Sequence, residues 1–259
     1  MTAADELQAA ARTALACLDL TSLNDADTEA DVLRLCERAD GPHGAVAAVC
    51  VWPRFAALAR ARLPAHIRVA AVANFPDGGA DIARAARDTS AIVQAGAQEV
   101  DVVLPFADVM AGQTEAAAHL LQAVRRACEG LTLKVILETG VLADPGLIDT
   151  ASRMALEAGA DFLKTSTGKT PVSATPQAAR VMLQAIAAAP AAARVGFKAS
   201  GGIRTVADAK VYLDLCADVL GASAVVPARF RIGASSLLNH IEAVLDGRGA
   251  RANAAPGAY

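Results

Sequence analysis

Apolar and polar positions along the chain divide it into two recurring kinds of segment. Short runs that are apolar at nearly every position are typical of strands buried on both faces. Eight such runs occur, at residues 16–20, 47–52, 68–74, 99–105, 133–138, 162–166, 195–200 and, more weakly, 231–235. Their spacing averages roughly 30 residues, which is about one βα unit each.

Ala-rich amphipathic stretches separate these runs and predict helices, among them residues 80–95, 113–129 and 145–158. Asp144-Pro145 and Thr175-Pro176 each combine a capping side chain with a proline at the first helical position. We therefore expect helices to begin at both dipeptides.

Eight strands alternating with helices in about 250 residues predict a single-domain α/β protein with a closed (β/α)8 TIM barrel. The alternative is an open doubly wound sheet, which usually carries a Gly-rich turn after its first strand. Here Thr21-Ser-Leu-Asn24 follows the first strand, and the Gly-rich turns come late. The pattern favours a barrel over residues 1–246 and a Gly/Ala-rich tail over residues 247–259.

Composition narrows the classes of protein that fit. Hydrophobic residues make up 54% of the chain, and the net charge of −3 gives no electrostatic case for nucleic acid or an anionic membrane. No apolar run approaches the ~20 residues of a membrane span. The first residues are acidic where a signal peptide is basic, and five scattered cysteines without a C-x-x-C pair indicate reduced thiols. We expect a soluble cytoplasmic protein.

Lysine is rare in this chain, with five among 24 basic residues. Lys164 and Lys198 lie in two successive apolar strands, each followed by a Gly-rich turn. Desolvation and a neighbouring cation both lower an ammonium pKa, and the resulting neutral amine can attack a carbonyl. The structural alternative is that both lysines pair with carboxylates.

Three acids lie in or at the ends of predicted strands. Asp101 interrupts the apolar run Glu99-Val-Asp-Val-Val103, where it could act as a general acid/base or form a structural ion pair. The same two interpretations stay open for Asp19. Glu138 also ends a predicted strand, but the sequence gives less reason to expect a functional role for it than for Asp101.

Three Gly-rich turns follow predicted strands and precede predicted helices, the arrangement in which backbone amides and a helix N-terminus bind a phosphate. They are Thr167-Gly168-Lys169, Ser200-Gly201-Gly202-Ile203-Arg204 and Gly233-Ala234-Ser235-Ser236. The last two follow strands seven and eight, a common phosphate site of such barrels. Gly168-Lys169-Thr170 lacks the first glycine of a P-loop, because Leu163 stands there. The four histidines are scattered without ligand spacing, so no metal site is predicted.

At these residues the sequence closely resembles the deoxyribose-phosphate aldolases, which are class I, Schiff-base aldolases with a TIM-barrel fold. The resemblance spans essentially the whole chain. It rests on the motifs Leu18-Asp-Leu-Thr-Ser-Leu-Asn24, Ala48-Val-Cys-Val-Trp-Pro-Arg54, Asn74-Phe-Pro, Glu99-Val-Asp-Val-Val, Asp161-Phe-Leu-Lys-Thr-Ser-Thr-Gly-Lys169, Gly196-Phe-Lys-Ala-Ser-Gly-Gly-Ile-Arg204 and Arg231-Ile-Gly-Ala-Ser-Ser236.

The resemblance implies reversible cleavage of 2-deoxy-D-ribose 5-phosphate to D-glyceraldehyde 3-phosphate and acetaldehyde in deoxyribonucleotide catabolism, without a cofactor. It implies Lys164 as the Schiff-base lysine, Lys198 as the lysine that perturbs it, and Asp101 as the acid that moves protons. Tyr259 would be a tail residue linked to catalysis, and a homodimer is the family expectation. The substrate and phosphate pocket implied by the resemblance comprises Asp19, Asn24, Cys50, Thr167, Gly168, Lys169, Gly201, Gly202, Ile203, Arg204, Gly233, Ser235 and Ser236.

Two other functions stay open from the residues alone. One is a different Schiff-base aldolase, of transaldolase type, which would prefer a ketose donor to acetaldehyde. The other is a non-catalytic phosphosugar sensor on the same barrel, for which Lys164 and Asp101 would not be needed.

Overall fold

The computed structural model describes residues 2–248 and contains eight parallel strands that close into a barrel in chain order. We number the barrel strands β1 to β8. They are β1 Leu18–Thr21, β2 Ala48–Val51, β3 Arg68–Ala73, β4 Glu99–Val103, β5 Thr132–Ile136, β6 Phe162–Lys164, β7 Gly196–Ser200 and β8 Phe230–Ala234. A two-stranded hairpin, Asp40–Gly41 with Gly44–Ala45, lies outside the barrel.

Eleven α-helices accompany the strands within the described residues. They are α1 Ala3–Ala16, α2 Glu29–Arg38, α3 Ala56–Arg62, α4 Ile82–Gln94, α5 Phe106–Met110, α6 Thr114–Ala127, α7 Thr139–Leu142, α8 Pro145–Glu157, α9 Pro176–Ala188, α10 Val206–Leu220 and α11 Leu237–Leu245. Short 3₁₀ turns occupy Pro53–Phe55 and Ala222–Ala224. The first helix packs against α10 and α11, beside the point where the barrel closes.

The (β/α)8 barrel predicted from the sequence is confirmed, and the open doubly wound sheet is excluded by the pairing of β1 with both β2 and β8. Each of the eight predicted runs contains or overlaps one barrel strand. The predicted helix starts are also present. Asp144 accepts a hydrogen bond from Leu147 N at the start of α8, and Thr175 accepts one from Ala178 N at the start of α9.

Side chains alternate between two layers, as the two-residue period of a strand requires. In β6, Leu163 packs in the main apolar cluster, whereas the Lys164 amine meets a carboxylate of another strand inside the barrel. The sequence therefore places apolar residues under the helices and reserves alternate positions for the barrel interior.

The proposed division into a barrel and a tail stays a prediction. Residues 249–259, including Tyr259, lie outside the described residues. None of the helices within residues 2–248 is long and apolar enough to cross a membrane.

Candidate active site

Seven charged side chains from six strands meet inside the barrel, and all are buried. They comprise three acids and four bases, namely Asp19, Glu99, Asp101, Lys134, Lys164, Lys198 and Arg231. Buried charges of this kind are rare unless they are paired, and here each forms at least one ion pair. We call this set the interior ion cluster.

Asp101 is the central acceptor of the cluster. Its Oδ2 accepts from Lys164 Nζ at 2.9 Å and from Lys198 Nζ at 2.8 Å, and its Oδ1 accepts from Lys134 Nζ at 2.8 Å. The parallel register sets these contacts, because Lys164 pairs with Lys198 across β6 and β7, and Asp101 pairs with Lys134 across β4 and β5. Both predicted catalytic lysines therefore share one carboxylate oxygen.

A second layer of ion pairs connects the remaining groups. Glu99 accepts from Lys134 Nζ at 2.5 Å and from the Arg231 guanidinium at 2.8 Å. Asp19 accepts from Lys198 Nζ at 2.5 Å and from Arg231 at 2.6 Å. Every carboxylate thus has at least two cationic partners, and the cluster ties β1, β4, β5, β6, β7 and β8 together.

The balance of charge singles out one lysine. If all seven groups were ionised, three negative charges would face four positive ones in a low-dielectric interior, leaving one uncompensated charge. Lys164 has one carboxylate partner, Asp101, whereas Lys134, Lys198 and Arg231 each have at least two. The cluster becomes neutral when Lys164 loses its proton.

The direction of each pKa shift agrees with that balance. Burial lowers the pKa of Lys164, the Lys198 ammonium lowers it further, and Asp101 opposes both without restoring the ordinary value. Burial also acts to lower the pKa of Lys198, but Asp101 and Asp19 outweigh it and the pKa is raised. At neutral pH Lys198 is therefore the persistent cation, and Lys164 is the amine most easily deprotonated.

Asp101 is ionised in the free protein. Burial acts to raise the pKa of this carboxyl group, but Lys134, Lys164 and Lys198 together hold it well below its ordinary value. A carboxylate with three cationic partners is a weak base. Its capacity to accept a proton rises only when one of those partners becomes neutral.

A cavity of about 260 Å³ opens at the carboxyl ends of β6, β7, β8 and β1, next to the ion cluster. Its walls comprise the three Gly-rich turns and the segment after β1, with the lining residues Thr21, Ser22, Leu23, Asn24, Thr167, Gly168, Lys169, Ser200, Gly201, Gly202, Ile203, Arg204, Gly233, Ala234, Ser235 and Ser236. A Cβ on Gly233 would lie 3.0 Å from Lys198 Cε, so this wall directly touches the lysine.

Three features of the cavity favour an anionic ligand. Gly168, Gly201 and Gly202 adopt positive φ angles of 79°, 85° and 80°, which glycine adopts at little cost. Helices α10 and α11 begin directly after the second and third turns, so their N-terminal amides and dipoles favour negative charge there. Lys169 Nζ donates to Leu23 O at 2.7 Å and joins the turn after β6 to the segment after β1.

An apolar cluster occupies the carboxyl ends of β2 to β5. It contains Leu23, Cys50, Ala70, Val72, Phe75, Val103 and Ile136, with Trp52 and Phe106 packed against it. The Trp52 and Phe75 rings meet edge to face with centroids 5.4 Å apart. Burial raises the pKa of the Cys50 thiol, so Cys50 is an apolar, neutral residue beside the ion cluster. The barrel mouth thus has a polar half and an apolar half.

The structure brings most of the sequence-predicted residues together. Asn24, Thr167, Gly168, Lys169, Gly201, Gly202, Ile203, Arg204, Gly233, Ser235 and Ser236 line one cavity. Lys164, Lys198, Asp101 and Asp19 lie in the ion cluster beside it, and Cys50 lies in the apolar cluster. Within residues 2–248 no group of three or more His, Cys, Asp or Glu side chains could hold a metal ion.

Three members of the ion cluster were not singled out by sequence reasoning: Glu99, Lys134 and Arg231. Glu99 precedes Asp101 by two residues, so the period of a strand puts both on one face. Lys134 and Arg231 are basic residues within otherwise apolar runs, which is the same signal that identified Lys164. Their partners depend on the register of the barrel, which the sequence pattern does not contain.

A (β/α)8 barrel with titratable groups gathered beside a cavity at the carboxyl ends of its strands is the architecture of an enzyme. Residues 13–243 match the sequence model of the family described as DeoC/LacD family aldolase. The chain therefore belongs to this family of aldolases.

Three solved structures resemble this chain in fold over most of its length, at a sequence identity of 26–27%. A candidate deoxyribose-phosphate aldolase from Toxoplasma gondii ME49, in apo form, is 26% identical with a TM-score of 0.86, over 94% of this chain and 98% of that one. One from Coccidioides immitis is 27% identical with a TM-score of 0.76, over 90% and 87%. The tetrameric deoxyribose phosphate aldolase of Aeropyrum pernix is 26% identical with a TM-score of 0.71, over 94% and 98%.

Proposed function

We propose that this aldolase cleaves 2-deoxy-D-ribose 5-phosphate reversibly to D-glyceraldehyde 3-phosphate and acetaldehyde through a Schiff base on Lys164. The observation that carries the proposal is the ion cluster, whose charge balances when Lys164 is neutral. A cavity whose turns favour an anion lies next to the ion cluster and reaches Lys198, as a phosphorylated aldehyde requires. The names of the similar structures support the same substrate.

The chemistry starts with attack of the Lys164 amine on C1 of the open-chain aldehyde, and loss of water gives an iminium ion. Removal of the C3 hydroxyl proton then breaks the C2–C3 bond, and the electron pair moves onto C2 to form an enamine. C3 leaves as the aldehyde carbon of glyceraldehyde 3-phosphate. The enamine takes a proton at C2, and water hydrolyses the new iminium to acetaldehyde and the free amine.

Asp101 and Lys198 are the groups we propose for the proton transfers, together with a water molecule. While Lys164 carries the iminium, Asp101 still faces a cation there; when cleavage turns the iminium into an uncharged enamine, that charge is lost and the basicity of Asp101 rises. Lys198 rests as a cation, and it regains through the water any proton that it passes on, so its charge is restored at the end of the cycle. Asp19 accepts from Lys198 and holds it in place.

The two halves of the barrel mouth suit the two ends of this substrate. The Gly-rich turns and the N-termini of α10 and α11 would hold the 5-phosphate, which fixes the aldehyde at Lys164. The apolar cluster around Cys50 would surround the two-carbon end that leaves as acetaldehyde. A role in deoxyribose catabolism, a homodimer, a cytoplasmic location and the participation of Tyr259 stay predictions of the sequence.

The function is tested by measuring release of both products from deoxyribose 5-phosphate by the wild type, Lys164→Ala and Lys210→Ala. We expect Lys164→Ala to fold, because Asp101 keeps Lys134 and Lys198 as partners, and to lose turnover completely. Lys210→Ala is the control, because this lysine pairs with Asp214 on the surface of α10. Retro-aldol activity near wild type in Lys164→Ala would contradict the mechanism, and preference for a ketose phosphate would contradict the substrate.

A further inference from the structure

Glu138 is a buried carboxylate behind the anion-binding cavity that the proposed chemistry does not use. It follows β5, has no exposed surface and is absent from the cavity wall. Its backbone adopts a left-handed conformation with φ 57° and ψ 56°, which is uncommon for a residue other than glycine. A non-glycine residue held in this conformation suggests that the position of its side chain matters.

The carboxylate binds one short segment, the turn after β6. Glu138 Oε2 accepts from Thr167 Oγ1 at 2.5 Å, and both carboxylate oxygens lie within 3.4 Å of Thr167 N. The Thr170 hydroxyl lies 3.2 Å from Glu138 Oε1. Thr167 Oγ1 in turn accepts from Lys169 N at 3.0 Å. Glu138 therefore orders the turn that presents Gly168 and Lys169 to the cavity.

The chain on both sides of this turn is tightly enclosed. A Cβ on Gly140, two residues after Glu138, would lie 1.9 Å from Val172 O. On the opposite side, a Cβ on Gly201 would lie 2.5 Å from Ser173 Oγ. The segment from Thr167 to Ser173 is thus held between the start of α7 and the turn after β7.

The charge of Glu138 argues against a direct role in binding. A carboxylate behind a phosphate site repels the ligand, so electrostatics alone would favour a neutral residue there. The hydrogen bonds to the turn instead favour a carboxylate at this position. A carboxylate is a stronger acceptor than an amide for the donors of Thr167 and Thr170. Replacing Glu138 by Gln separates the two effects, because they change phosphate affinity in opposite directions.

We propose that Glu138 is a positioning residue that holds the turn from Thr167 to Lys169 in its phosphate-binding conformation. The inference rests on the proposed function, in which this turn receives the 5-phosphate of the sugar. It assigns to Glu138 a part in selecting phosphorylated over unphosphorylated substrates.

The test compares Glu138→Gln with the wild type on deoxyribose 5-phosphate and on 2-deoxyribose, and measures inhibition by inorganic phosphate. We expect KM for the phosphorylated sugar and the inhibition constant of phosphate to rise about tenfold, which corresponds to about 1.4 kcal/mol. The kcat values and KM for 2-deoxyribose should stay within about twofold of wild type, because a loss of ground-state binding raises KM alone. Glu157→Gln makes the same chemical change at an exposed position of α8 and should alter none of these constants.

Thr170→Ala keeps the carboxylate but removes the hydroxyl that lies 3.2 Å from Glu138 Oε1 and 2.9 Å from Val172 O, and it should raise the same two constants by a smaller factor. If Glu138→Gln does not fold, the phosphate affinity of Thr170→Ala tests the proposal instead. Unchanged or tighter phosphate binding in the folded Glu138→Gln variant, or in Thr170→Ala when the first does not fold, would overturn the inference. A wild type that shows no preference for the phosphorylated sugar would instead overturn the proposed function.

Discussion

At the scale of single residues, the chemistry that we propose depends on a difference between the Lys164 amine and the three other basic groups of the cluster. Lys164, Lys198, Lys134 and Arg231 lie in the same interior, but Lys164 has the fewest carboxylate partners. Buried ion pairs cost desolvation energy, so such a cluster is weak evidence for stability. In this protein the cluster instead determines which of the buried lysines loses its proton most easily, namely Lys164.

The pH dependence of the reaction should report the state of Lys164. The amine is nucleophilic above its pKa, so kcat/KM should rise with pH through that pKa. Lys198→Met removes the adjacent cation and leaves the charge of Asp101 less compensated, and both changes raise the pKa of Lys164. The rising limb of the pH–rate profile should therefore move to higher pH in Lys198→Met. An unmoved or acid-shifted limb would contradict the assignment of Lys198 as the perturbing cation.

Glu99→Gln should show how much the second layer of the cluster matters for stability. The change leaves Lys134 and Arg231 each with one carboxylate fewer in a buried site, which typically costs about 3–5 kcal/mol. The free energy of unfolding in urea measures this loss. Asp149→Asn breaks the exposed pair with Arg153 and should cost at most about 1 kcal/mol. Equal losses in the two variants would show that the cluster is not paired as described.

Part of this cluster could be predicted from the sequence. Lys164, Lys198 and Asp101 stand out because each interrupts an apolar strand within a recognisable motif. The same local signal exists at Lys134, but its partners lie 33 and 35 residues away. Which acid meets which base depends on barrel closure and register, and neither is encoded in a local pattern.

At the scale of elements, the strand ends and the helix starts together form the cavity that we propose for the phosphate. The start of α10 illustrates this, since Thr205 and Asp208 form a capping box directly after the turn that contains Gly201 and Gly202. Asp208 also accepts from Arg204 N at 3.0 Å, which extends the ordering into the cavity wall. The capped start of α10 thus fixes the conformation of the turn that precedes it.

Loss of this cap gives a measurable prediction. Thr205→Ala removes the side chain that accepts from Asp208 N at 3.1 Å and should lower the free energy of unfolding by about 1 kcal/mol. Thr150→Ala is the matched control, because Thr150 lies exposed within α8 and alanine is the better helix former. Chemical denaturation of both variants checks this, and a loss in Thr150→Ala as large as in Thr205→Ala would contradict the capping argument.

Elements and their caps were predictable from the sequence, whereas the backbone between them was not. Asp-Pro and Thr-Pro dipeptides predicted the starts of α8 and α9 because their side chains satisfy free amides locally. The left-handed conformation of Glu138 has no such local signal. It follows from contacts with the turn after β6, about 30 residues further along the chain.

At the scale of the whole molecule, the interior ion cluster links β1 to β8 across the closure of the barrel. Asp19 on β1 binds Lys198 on β7 and Arg231 on β8, which are 179 and 212 residues away. These long-range ion pairs make the stability of the closed barrel depend on the ionisation of its buried acids.

Acid should therefore destabilise the protein from below about pH 4, the ordinary range for an Asp carboxyl. Burial acts to raise the pKa of Asp19 and Asp101, but their cationic neighbours hold both below the ordinary value. Their contribution is complete above the unfolded-state pKa and is lost as the pH falls towards the folded-state pKa. Urea unfolding at pH 5, 4 and 3 should show a falling free energy, with a shallower slope in Asp19→Asn than in Asp218→Asn, which changes an exposed Asp on α10 and serves as the control. Equal slopes in the two variants would contradict this account.

The most direct measurement is reductive trapping with acetaldehyde and borohydride, followed by mass mapping of peptides. We expect one two-carbon adduct, on Lys164, because its lowered pKa makes it the buried amine most easily deprotonated, whereas the raised pKa values of Lys134 and Lys198 keep those amines protonated. The exposed Lys210 serves as an internal control for unselective reaction. An adduct on Lys198, or adducts spread over surface amines with none on Lys164, would show that the ion cluster does not activate Lys164.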